Sequence, residues 1–157
     1  MGNIRIRRAR VADLEDMVCL LQQLFSIEED FDFDAVRQRR GLEMMLDHAG
    51  AVILVAEVES QIIGMCSGQS MVSTAEGAFS LLVEDVVVDE WWRGRGVGTE
   101  LLKALEEWAR ETKIVRFQLL ADRSNKAGLK FYHKQTWQDT KLVCLCKRQP
   151  IGKRKEG

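Results

Sequence analysis

Three glycines crowd into five residues at Gly94, Gly96 and Gly98, flanked by Arg93 and Arg95. The spacing G-x-G-x-G is not the G-x-G-x-x-G of a dinucleotide loop, and no Gly-Lys-Ser/Thr follows, which excludes a Walker loop. What is left is the chemistry such loops share. Glycines let backbone approach an anion, and the first turn of a following helix offers unpaired N–H groups at a positive dipole end. The two arginines add charge, so a phosphate or pyrophosphate is the natural ligand. A tight turn with solvated arginines is the other reading of the same residues.

A second group of residues is acidic. Glu28, Glu29, Asp30, Asp32 and Asp34 are interleaved with Phe31 and Phe33. Carboxylates among aromatic faces suit a cationic amine, through charge pairing and cation–π contact. The plainer reading is a solvated loop, with Asp32 or Asp34 capping the next helix. Glu84 and Asp85 lie in the middle of the apolar run 79–88. Side chains alternate on a strand, so these two should face opposite ways unless a bulge intervenes.

The elements that would position these groups follow from periodicity. Ile4 and Ile6 alternate with Arg5 and Arg7, a short strand. Leu14, Met17, Val18, Leu21, Leu24 and Phe25 make one stripe on a helix over about 11–26. A second helix runs to about Asp47. Residues 51–59 and 62–72 read as a hairpin turning at Ser60-Gln61, and 79–88 as a longer strand. After the glycines, Val97, Leu101, Leu105 and Trp108 mark a helix to about Thr112. A strand over 115–121, a short helix over 125–134 and a last strand over 141–147 complete the series. The order β-αα-βββ-α-β-α-β predicts an α+β fold, a mixed sheet with helices on both faces.

Composition bounds the function classes. The chain has 157 residues and a net charge of −1, so one domain with a real core is expected and no global field points to nucleic acid or a membrane. The apolar runs are far below a membrane span. Four cysteines form no C-x-x-C pair and only two histidines are present, so a metal site is not expected. No apolar signal core follows the basic start, and free thiols then point to the reducing cytoplasm. One domain over 1–147 and a basic tail over 148–157, with Lys153, Arg154 and Lys155, complete the organisation.

The motifs together resemble a known family. Arg93-x-x-Gly96-x-Gly98 is similar to the Gln/Arg-x-x-Gly-x-Gly/Ala signature of the GNAT superfamily of acetyl-CoA-dependent N-acetyltransferases. The strand 82–89 resembles its central bulged strand, and Asn125 through Tyr132 its second conserved helix. Ile6-Arg7-x-Ala9 followed by Asp13-Leu14 resembles its opening strand and helix. The resemblance reaches to about Cys146 and implies a GNAT fold, with a mixed sheet of six to seven strands and about four helices. Two positions depart from the pattern: Gly128 stands where alanine is usual, and Thr136-Trp137 where Gly-Phe is usual.

The resemblance also implies roles. Backbone groups of Val86, Val87 and Val88 would pair with the pantetheine arm of acetyl-CoA as an added strand does. Arg93 and the loop Gly94, Arg95, Gly96, Val97, Gly98 and Thr99 would hold its pyrophosphate, and Asn125 would touch its arm. Tyr132 would protonate the departing thiolate. Glu84 is the preferred general base, with Asp85 or an ordered water as the alternatives. Glu28, Glu29, Asp30 and Asp85 would form an acceptor wall for a small cationic amine, and Glu84-Asp85 resembles a pair in polyamine acetyltransferases. A protein N-terminus or lysine is the other acceptor. A non-catalytic acyl-CoA sensor is the reading from another class. The final strand, with Leu142, Cys144 and Cys146 on one face, implies contacts in a homodimer.

Overall fold

A computed structural model describes residues 2–28 and 30–150. β1 (Arg5–Arg8) leads through a single 3-10 turn, Val11–Asp13, into α1 (Leu14–Ile27) and then α2 (Ala35–Asp47). β2 (Ala51–Val58), β3 (Gln61–Ser73) and β4 (Ala78–Val88) follow as a meander. A second 3-10 turn at Glu90–Trp92 precedes α3 (Val97–Glu111), then β5 (Ile114–Leu119) and α4 (Lys126–Lys134). The strands lie in sequence order, antiparallel except for the parallel pair β4–β5.

The predicted stripes are the buried ones. Leu14, Met17, Val18 and Leu21 of α1 pack with Leu42 of α2 on Ile53, Val55 and Met65. Val97, Leu101 and Leu105 of α3 cover the other face, on Val52, Leu54 and Cys66. β2 is therefore covered on both sides, which is why its run Ala51-Val52-Ile53-Leu54-Val55-Ala56 shows no polar alternation. Gly64 admits Leu101 and Val97: a Cβ there would lie 3.2 Å from the leucine and 3.3 Å from the valine.

The opening motif has a physical cause. Arg7 grips Asp13 through both terminal nitrogens, at 2.8 and 2.9 Å, and reaches Glu57 through Nε at 3.1 Å. Its guanidinium holds the Asp13 carboxyl below the usual range, aided by the Arg10 N–H. The pair fixes the start of α1 against β1.

The hairpin turns at Glu59 and Ser60, both at positive φ, one residue earlier than expected. Asp34 is the cap of α2; its carboxylate accepts from the N–H groups of Val36 and Arg37. The larger correction concerns the sheet. It has five strands among the described residues, not six or seven. Residues 141–147 form no strand, and Leu142 and Leu145 are 85% and 90% exposed. Alternation makes a segment fit for a strand, but only a neighbouring edge supplies the ladder. Here Trp137 turns back onto Phe117 and Tyr132, with centroids 6.5 and 6.0 Å away. Among the described residues, the chain beyond it pairs with no strand. The residues of the basic tail from 151 onward lie outside the described part.

Candidate active site

The site opens where β4 and β5 part. Their pairing ends at Val83 and Leu119, while β4 runs on to Val88 paired with β3 alone. The β5-facing edge of residues 84–88 therefore has no strand partner, and backbone groups there are free to pair with an extended ligand. The Val88 carbonyl is the exception: it accepts from Arg93 Nε at 3.0 Å.

The glycine loop follows directly. Gly94 and Gly96 have φ of +73° and +83°, values that side chains other than glycine rarely adopt. Gly96 is the residue immediately before α3, so the loop delivers the helix N-terminus with its unpaired N–H groups. Gly98 serves a different need, since a Cβ there would come within 3.0 Å of the Phe131 ring. The first turn of α3 thus lies close against α4. Thr99 is tied to the same helix region, its hydroxyl accepting from Gln135 at 3.0 Å. The two arginines part company. Arg93 clips the end of β4, and Arg95 lies over the Trp92 ring, 5.0 Å from its centroid.

A staple that the sequence did not reveal holds this loop to α1. Gln23 donates to Asp89 at 2.9 Å and accepts from the Glu90 N–H at 3.1 Å. The other Asp89 oxygen caps the turn by accepting from the Trp91 N–H. A glutamine on a helix gives no local signal of such a partner 66 residues away.

Asn125 caps α4, accepting from the Gly128 N–H at 3.0 Å. A Cβ on Gly128 would meet the Asn125 amide nitrogen at 2.6 Å, which accounts for glycine at this position. Tyr132, on the same helix, packs beside Val86, Val88 and Phe131 against the α3-side core. Burial pushes its phenol up to about 12, with Glu28 and Cys66 adding to the shift. It is therefore a hydrogen donor throughout the neutral range.

The carboxylates converge through a bulge. Ser67 of β3 pairs with Glu84, yet Met65 pairs with Val87, so β4 carries one extra residue between them. Asp85 sits in it at φ +52°, a left-handed conformation that Asp tolerates better than most residues. The bulge overrides strict alternation. Glu84 and Asp85 line one cavity instead of facing opposite ways. Ser67 Oγ lies 3.2 Å from Asp85 Oδ2 and 3.1 Å from the Glu84 carbonyl oxygen.

Burial, then the charge of Glu84, raises the Asp85 carboxyl to about 6; the Ser67 hydroxyl opposes this in part. Glu28, just past α1, is also raised, first by burial and then by Asp85, Asp122, Asp30 and Glu84. Glu28, Asp85 and Tyr132 thus share one electrostatic neighbourhood. Asp122 joins from the loop before α4, where it accepts from the Ser124 N–H at 2.8 Å. The chain order gave no reason to place it beside Glu28. Glu29 lies outside the described residues. Asp30 and Phe31 are exposed, and Phe31 leans on Phe25 with centroids 5.8 Å apart. Among the described residues no cluster of three or more His, Cys, Asp and Glu could hold a metal ion. No helix among them is long and apolar enough to cross a membrane.

A sheet split beside a helix N-terminus, with carboxylates and a phenol at the opening, defines a class of acyl-group transferase. The chain belongs to the acetyltransferase (GNAT) family, whose model matches residues 14–137, and it is an N-acetyltransferase. It is 28% identical over 141 residues to mouse thialysine N-epsilon-acetyltransferase, covering 84% of this chain and 82% of that protein. Among solved structures, a transcriptional regulator from Bacillus halodurans matches with a TM-score of 0.81. The two share 22% identity, over 93% of this chain and 100% of that one. An acetyltransferase from Clostridium acetobutylicum, solved with acetyl-CoA, gives a TM-score of 0.76 and 24% identity, over 92% of this chain and 96% of that one. The architecture is the GNAT fold, and acetyl-CoA is the donor the family uses.

Proposed function

We propose that this enzyme acetylates the primary amine of a small cationic acceptor by direct attack on acetyl-CoA. The observation that carries the reading is that Glu84 and Asp85 line one cavity, with Glu28 close enough to feel the charge of both and to act on Tyr132 in turn. An ammonium ion is drawn to such a group of carboxylates. The curated mouse relative is named for acetylation of an amine, which supports the same class.

The residues present suit the donor. The first-turn N–H groups of α3 behind Gly94 and Gly96 would hold the pyrophosphate, with Val97, Gly98 and Thr99 completing the turn. The open edge at Val86 and Val87 would pair with the extended arm. Asn125 stands at the start of α4 and would touch the arm. Arg93 contributes by fixing the end of β4, and Arg95 supplies charge from its place over Trp92.

The acceptor must lose a proton before its nitrogen lone pair attacks the thioester carbon. A base whose pKa lies near the working pH does this best. In this reading Asp85, raised to about 6 by burial and further by the charge of Glu84, takes the proton. The C–N bond then forms, the C–S bond breaks, and Tyr132 Oη gives a proton to the leaving sulfur. In this reading a backbone N–H at the β4 bulge would stabilise the carbonyl oxygen as charge develops.

Residues 141–147 complete the proposal as a contact between two copies, supported by the exposed apolar side chains of Leu142, Val143 and Leu145. The cytoplasm is the compartment this reading carries, supported by four free cysteines. The direct experiment follows thiol release from acetyl-CoA across a panel of amines, peptides with free N-termini and lysine peptides. Small cationic amines are expected to turn over fastest. Turnover of peptides alone would move the assignment to a protein acetyltransferase. CoA binding without turnover of any acceptor would leave a sensor.

A further inference from the structure

Ser67 lies on β3 opposite the bulge of β4 and is fully buried, at 0% exposure. Its Oγ is 3.1 Å from the Glu84 carbonyl oxygen and 3.2 Å from Asp85 Oδ2. One side chain therefore touches both Glu84 and Asp85 where β4 takes up its extra residue, the second of them at φ +52°. A hydroxyl carries a single hydrogen, so it donates to one of these two acceptors at a time. Ser80 of β4 is buried almost as deeply, yet its hydroxyl has no partner among the described residues.

Asp85 is anchored through one oxygen. Oδ2 meets Ser67, while Oδ1 has no hydrogen-bond partner among the described residues. Asp85 also lines the cavity of about 350 Å³ to which α1, α2, β3 and β4 contribute. The charged groups around it come from three elements or their ends. Glu84 stands beside it on β4, Glu28 follows α1, and Arg37 and His48, in α2 and just after it, belong to the same lining. β3 brings no charged side chain to that lining, only Gln69.

We propose that Ser67 is a positioning residue for proton transfer, holding Asp85 by Oδ2 while Oδ1 takes the proton of the acceptor ammonium group. The inference rests on Asp85 as the base in the amine-acetyltransferase reading and deepens it. With Asp85 ionised, the Ser67 hydrogen lies on a charged oxygen, and such bonds are the stronger ones. The proton then passes from nitrogen to Oδ1, which frees the nitrogen lone pair and leaves Oδ2 a neutral carbonyl oxygen. The Ser67 hydrogen can stay there or turn to the Glu84 carbonyl at nearly the same distance. The hydroxyl is thus partnered in both protonation states of Asp85, and the carboxyl keeps its place through the cycle.

The test follows the Asp85 carboxyl by ¹³C NMR as pH is varied, with Asp85→Asn to assign the resonance. Ser67→Ala should move the Asp85 midpoint up by about one pH unit, the scale of one hydrogen bond to a charged group. Ser80→Ala, an equal deletion at a hydroxyl without a partner, should not move it. With 1,6-diaminohexane as acceptor, Ser67→Ala should shift the acidic limb of kcat/KM upward by the same amount. It should also lower kcat above pH 8 about tenfold, with the KM for acetyl-CoA within twofold. A midpoint and limb that Ser67→Ala leaves in place, while Asp85→Asn abolishes turnover, overturn this inference alone. Full turnover by Asp85→Asn overturns the assignment of Asp85 as base, and this inference with it.

Discussion

The two halves of the site are built from different materials. In the proposed reading the donor side is backbone: two glycines at positive φ, the N-terminus of α3 and the unpaired edge of β4. The acceptor side, in the same reading, is made of side chains: Glu28 after α1, with Glu84 and Asp85 on β4. One half presents fixed dipoles whose strength no pH alters. The other depends on carboxylates whose proton affinities the fold has raised. Binding of a constant cosubstrate suits the first, and choice among acceptors together with proton transfer suits the second.

The difference can be broken from either side. The largest effect is expected from Tyr132→Phe, which removes the proton donor but keeps the ring packing. It should lower kcat about 10²- to 10³-fold, with the KM for acetyl-CoA within twofold, measured by thiol release. Asp85→Asn should lower kcat about 10²-fold. In the parent, kcat/KM should fall as pH drops below about 6, where Asp85 becomes protonated. Glu84→Gln removes the neighbouring negative charge, so that limb should move to lower pH. A limb unmoved by Glu84→Gln would detach it from Asp85.

Gly96→Ala perturbs only the donor side. The φ of +83° then costs about 1–2 kcal/mol, and the KM for acetyl-CoA should rise about tenfold while the acceptor KM stays constant. A smaller effect concerns stability. Asp85 is raised in the folded chain from 3.8 to about 6, so its contribution is fully present below pH 4 and lost as pH rises through 6. Asp85→Asn should therefore raise Tm by about 2–5 °C at pH 7.5 and by less at pH 4, in a calorimetric scan. The smallest expected effect on chemistry belongs to the exposed segment. Light scattering should give the mass of two chains, and Leu145→Glu should halve it with turnover by each chain little changed.

The glycine loop and the helix after it were legible in the chain because their cause is local. Glycine at 94 and 96 relieves a backbone constraint that acts at those residues, and the stripe of Val97, Leu101 and Leu105 fixes the helix that follows. The acceptor half was legible only as composition. Acidic residues around 28–34 and at 84–85 suggested a cation site, but strict alternation would have sent Glu84 and Asp85 to opposite faces. The bulge beside Ser67 brought them to one. The segment 141–147 misled for a related reason: its alternation was real, but a strand also needs a free edge within reach.

The sequence by itself determined the element order as far as α4, the two covered faces of β2 and the glycine loop at the start of α3. These rest on periodicity and on local backbone sterics, which the order of residues specifies directly. The tertiary structure alone decided where β4 and β5 part, that Arg93 serves the strand end, and that Gln23 staples the loop to α1. It also decided that Asp85 titrates near 6 and that one cavity carries donors and acceptors on separate elements. Burial and the nearness of other charges set a proton affinity, and both are properties of packing between segments far apart in the chain.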